Sequence, residues 1–493
     1  MKIFRSNIIA NLIMLFVSKA GGVLVTLIFT PLYYKLLGPE QFSIVAVILS
    51  LQSLLLMLDL GMTTMVSREV AIYGTRSLAS VKIWANAEAI LTFFYLCLFL
   101  LAIIFGFYSV PKGLVWYANG LIITLFWLMV MQNLSQTVLL GGRLFKISGT
   151  IQLVGTLLRA SLTVIALKFY SSSVECFLTS QLFGTLFQFI VTRNICKHFF
   201  STTLISKIKY SFGECKALFK NGTPLLFLSL SGAAVSQLDK PIIASFLTAK
   251  VVSTYFLAVT FCLTPISVLG GPIYQYFLPN LTSMLAEKDS GQLTRHVSLF
   301  VIVLVFSTVI PTVSLLFYSE YWIRLWLGNV ETTIQVSEFV SILLPGVLIG
   351  AMGYIPFSML TACQDYQFQA RLALFLTSIT LALVVFFAQR KSIDAICFVY
   401  AGYHIVSTSS SWIRAIQTDK TRIYAKYALI LTTKFVIGIF FVAKLIKLIL
   451  VKFCDVQYGM WVFILILGLI GLIFFLFEIR NIKKQEYLLQ IFN

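Results

Sequence analysis

From about residue 8 to residue 479 the chain alternates between apolar runs of about 20 residues and short polar breaks. That run length is what an α-helix needs to cross the hydrocarbon core of a bilayer at about 1.5 Å per residue. The pattern predicts about fourteen spans, at 8–34, 42–62, 84–108, 114–140, 148–168, 174–196, 222–247, 251–279, 297–318, 334–361, 369–388, 393–413, 424–446 and 458–479. Nothing between them is long enough to fold by itself. The first run, MKIFRSNIIANLIMLF, continues to Tyr33 without a small-residue cleavage site, so it is expected to be a retained span.

Composition agrees. Hydrophobic residues make up 59% of the 493 positions and charged residues only 11%, against roughly 25% charged in soluble domains. The expected fold is all-α and polytopic. The formal charge of +19 suggests nucleic acid at first sight, but its placement points elsewhere. With the N-terminus inside, the cytoplasmic segments hold about twice as many Lys and Arg as the outer ones. The richest is RNICKHFFSTTLISKIKYSFGECKALFK (193–220), and the tail adds RNIKKQEY. Both termini are therefore expected in the cytoplasm, with no nucleic-acid partner. Trp116, Tyr117, Tyr318, Tyr321, Trp322 and Trp326 fall at expected outer edges, where interfacial aromatics belong. The eight cysteines form no C-x-x-C and show no metal-ligand spacing with the three histidines, so neither a metal nor a cofactor is expected.

The basic loop near the middle implies two six-span lobes. The expected division is an N-lobe at 1–198, a basic linker at 199–221, a C-lobe at 222–413 and an appended helix pair with a tail at 414–493. A weak repeat supports it. Pro31, Leu37 and Ser43 recur as Pro241, Leu247 and Ser253, each 210 residues on and each copy straddling a short outer turn.

Soluble-enzyme signatures are missing: no phosphate loop, no G-x-S-x-G elbow and no H-E-x-x-H. Chemistry is left to polar residues inside spans, where a central Arg, Lys or Asp costs about 2.5–3.5 kcal/mol. Four bases qualify: Lys19, Arg159, Lys240 and Lys434. Gln152, Thr156, Arg159 and Thr163 are spaced 4, 3 and 4, which makes one polar seam along the fifth span. Lys19 shares a face with Gly22, Thr26 and Thr30, and Thr260, Thr264, Ser267 and Gly271 form a third seam. Close packing of small residues is the competing account of such seams; for Lys19 and Lys240 it is snorkelling to the interface. Lys434 lies outside the two lobes, where structural pairing is expected, and His404 is expected to be a packed neutral histidine. The acids Asp59, Glu88 and Asp239 are candidates for ion coupling, against helix capping or loop pairing for the first two. Asp239 and Lys240 lie about 100° apart on a helix and need not face each other. Pro241 withholds a donor from the carbonyl of Gln237 and is expected to kink the seventh span, a hinge matched by Pro31.

A basic interior without an ATP site suits an anionic amphiphile: a phosphate held by Lys and Arg, sugar held by hydroxyls and amides, and a tail left in lipid. The stretches LGPEQFSIVAVILSLQSLLLMLDLGMTTMVSREVA (37–71) and LDKPIIASFLTAKVVSTYFLA (238–258) resemble those of bacterial O-antigen and polysaccharide-repeat flippases, within the multidrug/oligosaccharidyl-lipid/polysaccharide exporter superfamily. The resemblance covers essentially the whole span plan. It implies a non-enzymatic flippase in the bacterial cytoplasmic membrane. That flippase would carry undecaprenyl-diphosphate-linked oligosaccharide to the outer leaflet by rocking of two lobes, with a polysaccharide polymerase and a chain-length regulator as possible partners. Family members commonly have Gly where Ser43 and Ser253 stand. Cargo contacts are not carried over; Lys19, Arg159, Lys240, Gln152 and Thr156 are expected from this chain's own pattern. Two transporter alternatives remain open, a lipid-linked peptidoglycan-precursor flippase and a cation-coupled multidrug exporter. A membrane glycosyltransferase would need larger outer loops or an acidic catalytic site.

Overall fold

The computed structural model describes residues 2–57, 62–74, 77–106, 118–142, 144–199, 213, 234–235, 237–287, 290–363, 365–453 and 456–492. Among these residues the regular structure is helical without strands, and nine helices are long and apolar enough to cross a bilayer. Only helices and closed barrels satisfy their own backbone groups in hydrocarbon, which is why an apolar chain of this kind folds as a bundle. The all-α polytopic expectation holds. The chain forms two compact units, Met1–Ser253 and Thr254–Asn493, each taken by itself below.

The first unit holds α1 (Lys2–Met57), α2 (Met62–Tyr73), α3 (Leu78–Gly106), α4 (Ala118–Gly141), α5 (Phe145–Phe169), α6 (Val174–Phe199), the short α7 (Asp239–Phe246) and the start of α8 (Ala249–Glu287). α1 is two helices that meet at Gly38, whose φ of 73° and ψ of 170° leave helical space. Such a backbone favours glycine, and Pro39 then starts the second helix, where its missing N–H costs nothing. The break separates the spans expected at 8–34 and 42–62. α1 packs along α5, α5 along α6, and α4 along α6, with α2 and α3 against α4.

In the second copy of the repeat the break falls at the matching place. α7 ends at Phe246, Leu247 is extended, and α8 starts at Ala249. Pro241 is the third residue of α7, and the break before it lies at Leu238, a bend. That bend adjoins Gln237, the residue whose carbonyl Pro241 leaves without a donor. Proline is tolerated in a first helical turn, and the donor it withholds is felt by the preceding turn. Most of the span expected at 222–247 lies outside the described residues.

The second unit contains most of α8, then α9 (Ser290–Phe317), the short α10 (Ser319–Leu327), α11 (Val330–Met352), α12 (Tyr354–Ala362), α13 (Tyr366–Gln389), α14 (Ile393–Gln417), α15 (Arg422–Phe453) and α16 (Val456–Phe492). α10 is held between a left-handed Gly328 at its C-terminus and Trp322, whose ring meets Trp461 at 6.0 Å. α11 lies close against α14. A Cβ on Gly346 would sit 2.5 Å from the Ala401 backbone, one on Gly350 2.5 Å from His404 Nδ1, and one on Gly353 2.8 Å from Thr408 Oγ1. α15 and α16 dock on α9: Phe306 meets Phe435 at 5.3 Å, and Lys447 Nζ donates to the Phe317 carbonyl at 2.8 Å. That lysine satisfies a carbonyl at the end of α9 that has no partner within its own helix.

Candidate functional site

α5 and α6 form an antiparallel hairpin across the four residues Tyr170–Ser173. Ser173 starts α6: its hydroxyl accepts the Cys176 N–H at 3.2 Å and its carbonyl the Phe177 N–H at 3.1 Å. The tight turn fixes the register, and the seam on α5 meets a second polar row on α6. Gln188 Nε2 donates to Gln152 Oε1 at 3.4 Å. Gln181 Nε2 donates to Thr163 Oγ1 at 3.1 Å, with Ser180 Oγ also 3.1 Å away. Between these ends Arg159 lies beside Gly184 and Thr185. A Cβ on Gly184 would come within 3.0 Å of Arg159 Cα and Cγ, so the glycine is what lets the guanidinium stem cross α6. Thr156 and Thr163 turn their hydroxyls back to the carbonyls of Gln152 and Arg159, at 2.7 and 3.0 Å.

The environment of Arg159 is its most informative property. Its Nη1 lies 3.5 Å from Thr185 Oγ1, a marginal hydrogen bond. Tyr33 of α1 is a neighbour; its hydroxyl donates to the adjacent Ala160 carbonyl at 3.4 Å and its ring stands edge-on to Phe177 at 5.3 Å. Among the described residues no carboxylate pairs with Arg159. Arginine offers five N–H donors and no acceptor. A mid-span guanidinium whose described polar neighbours are hydroxyls and amides is therefore under-neutralised, and an anion is its natural complement.

The α6 row continues past the hairpin's middle. Thr192 Oγ1 accepts from Gln132 Nε2 of α4 at 2.9 Å, while Gln136 Nε2 reaches Ser148 Oγ and its carbonyl at 3.1 and 3.0 Å. Arg193 forms a two-pronged ion pair with Glu88 of α3, its Nη2 3.0 Å from Oε2. The guanidinium also lies 5.6 Å from the ring centres of both Trp84 and Phe189. Glu88, a candidate coupling acid, thus already has a cation.

Sequence reasoning singled out the α5 row and passed over its partner. Gln181, Thr185, Gln188 and Thr192 carry the same 4, 3, 4 spacing and could have been found by the same test. The remaining candidates fall elsewhere. Asp239 and Lys240 pair with each other at 2.9 Å although adjacent in sequence, with side chains 1% and 3% exposed, and the Lys240 N–H also donates to Asp239 Oδ1 at 2.9 Å. The pair lies in the first turn of α7, where the short Asp side chain folds back over the helix start. Pro31 lies inside the first half of α1. On the Lys19 face, Thr26 and Thr30 donate to the carbonyls of Gly22 and Thr26. The Lys19 side chain and the whole of Asp59 lie outside the described residues. His404 is packed between Tyr400 and Tyr403, at 5.0 and 5.4 Å between ring centres.

Residues 8–285, more than half of the chain, match the polysaccharide biosynthesis protein family. The chain belongs to that family. Its members and structural neighbours are transporters and flippases, and this chain is accordingly not an enzyme. A protein of Shigella flexneri described as a putative O-antigen transporter is 22% identical over 337 residues, covering 66% of this chain and 78% of that protein. Among solved structures, the lipid II flippase MurJ in an inward closed conformation superposes with a TM-score of 0.72 at 16% identity, over 95% of this chain and 98% of that one. An inward-facing multidrug resistance transporter of the MATE family and MOP superfamily gives 0.62 at 12% identity, over 82% and 95%. A MOP superfamily transporter from Pyrococcus furiosus gives 0.58 at 12%, over 85% and 96%. At these identities the structural likeness speaks for the fold.

Proposed function

We propose that this protein is a flippase that moves undecaprenyl-diphosphate-linked oligosaccharide repeat units, of O-antigen or a related surface polysaccharide, from the cytoplasmic to the periplasmic leaflet by alternating access. The observation that carries the reading is Arg159, a cation within a span that no described carboxylate neutralises, set among the amides and hydroxyls of α5 and α6. A diphosphate crossing the membrane needs such a partner, since an unpaired charge in hydrocarbon is costly. Amide and hydroxyl rows beside it suit sugar. Family membership and the O-antigen transporter relative support the same class of cargo.

In this reading Arg159 and Lys19 receive the diphosphate from the inner side, with Gln152 and Thr156 beside them. Lys240 acts nearer the outer side and must exchange Asp239 for cargo before it can contribute. Pro31 and Pro241 let their helices bend. The protein sits in the inner membrane with both termini cytoplasmic, working beside a polysaccharide polymerase and a chain-length regulator. The drug-exporter reading draws on Asp59, Glu88 and Asp239; of these Glu88 and Asp239 are paired with cations, and Asp59 lies outside the described residues. The peptidoglycan-precursor reading draws on the MurJ-like fold and differs only in cargo.

Reconstitution decides. Purified protein in liposomes containing fluorescent polyprenyl-diphosphate oligosaccharide should expose the label to an outside quencher faster than protein-free liposomes. Transport of lipid II alone would select the peptidoglycan reading, and movement of neither would overturn the flippase assignment.

A further inference from the structure

α15 has two unlike faces. Ala428, Thr432, Phe435 and Ile439, spaced 4, 3 and 4, are buried against the rest of the second unit. The opposite face exposes Ile430, Ile437 and Phe441 at 70, 63 and 68%. It holds a groove of about 720 Å³ lined by these residues with Thr433, Lys434 and Gly438. Structural pairing was expected for Lys434. Instead the residue is exposed, and the contact of its ammonium is the Phe435 ring centre at 5.8 Å; among the described residues no carboxylate pairs with it.

The span expected from the sequence at 424–446 puts Lys434 near its middle, which makes this costly. Lys426 and Lys444 bracket the apolar stretch, eight and ten residues away, or about 12 and 15 Å along the helix. A lysine stem extends about 6 Å, too short to bring the ammonium to either interface. Lipid phosphates lie at those interfaces, held by their hydration. A carboxylate carried on another membrane helix is delivered at the right depth by its own backbone. At Gly438 the space for a Cβ is empty, so a second helix can come close there, with Ile430, Ile437 and Phe441 supplying the apolar flanks.

We propose that this face of α15 is an interaction surface for a membrane-spanning helix of a different protein, one that carries Asp or Glu near its middle opposite Lys434. A second copy of this chain is a poor occupant. Of the described acids within expected spans, Glu88 near the inner end of its span and Asp239 are already committed to Arg193 and Lys240.

The test uses the full chain in lipid nanodiscs and synthetic leucine-rich helices of about 20 residues with a central Asp, Asn or Leu, binding being read by energy transfer. The Asp helix should bind at least about tenfold tighter than the Leu helix. Lys434→Leu should abolish that preference without lowering the melting temperature, and Lys434→Arg should keep it. Ile437→Trp, which retains the charge but fills the groove, should weaken binding of all three helices. A preference that survives Lys434→Leu, or no preference at all, overturns the proposal. A fall in melting temperature with Lys434→Leu overturns it in favour of an internal partner. An anionic lipid that co-purifies with the wild type, leaves with Lys434→Leu, and accompanies a lack of Asp preference assigns the groove to lipid instead.

Discussion

The Ser253 hydroxyl lies 2.7 Å from the carbonyl of Pro39, across 214 residues of sequence, and 2.8 Å from the carbonyl of Ala249 in its own helix. Ser253 is the repeat counterpart of Ser43, whose hydroxyl bonds back to Glu40 at 2.7 Å. Pro39 follows the break at Gly38, the counterpart of the break after α7. The two copies of the repeated phrase therefore touch through their turns, within the first compact unit. Ser253 is fully buried. Ser253→Ala should lower stability by about 1 kcal/mol, the worth of one hydrogen bond. Ser253→Leu should cost about 1–3 kcal/mol by wedging the turns apart. Thermal unfolding of the purified protein reads both, and a silent Ser253→Leu would mean the turns part freely.

Arg159 should separate function from stability. Replacing it with Ala is expected to remove at least about 2 kcal/mol of cargo binding, roughly thirtyfold. The melting temperature should stay level or rise, because no described carboxylate loses its partner. Arg159→Lys should retain part of the transport. A marked loss of stability with Arg159→Ala would point to a structural role instead. Gly184→Val, which drives a side chain into the Arg159 stem, should copy the transport defect, while Gly402→Ala, with open space at its Cβ, should be silent.

Glu88 and Arg193 behave as one unit if their ion pair is structural. Their side chains are 17% and 32% exposed, intermediate between a surface bridge and a buried one. Glu88→Gln and Arg193→Gln should each destabilise. The double variant should lose less than the sum, with a coupling of about 0.5–3 kcal/mol. Should Glu88→Gln stop transport at full stability while Arg193→Gln does not, Glu88 is a coupling acid after all.

Gly346 and Gly350 present a contrast between backbone and side-chain collisions. Gly350→Ala meets the His404 ring, whereas Gly346→Ala meets the Ala401 backbone. Each should cost about 1–3 kcal/mol. His404→Ala should rescue Gly350→Ala and leave Gly346→Ala unrescued. Melting temperatures of the three single and two double variants check this, and equal rescue of both would rule out the direct contact.

Membrane fold class was legible from the chain because hydrocarbon imposes a local rule: each span must be apolar, about 20 residues long and helical. The break at Gly38-Pro39 was equally legible, since those two residues are local instructions. The α5 seam could be read from helical spacing alone, as could, in hindsight, its α6 partner. Pairing was different. Nothing within α5 says that Arg159 meets Thr185, Gly184 and Tyr33, nor within α3 that Glu88 meets Arg193, more than 100 residues on. Asp239 and Lys240 illustrate the limit even for neighbours, since helical angles set them apart while side-chain reach and burial brought them together. Lys434 is the reverse: pairing was expected and the tertiary structure left it exposed. Periodicity determines which face of a helix is polar, because it depends only on the helix's own geometry. Which charge meets which depends on how separate helices pack, and that is decided by contacts between residues far apart in the chain.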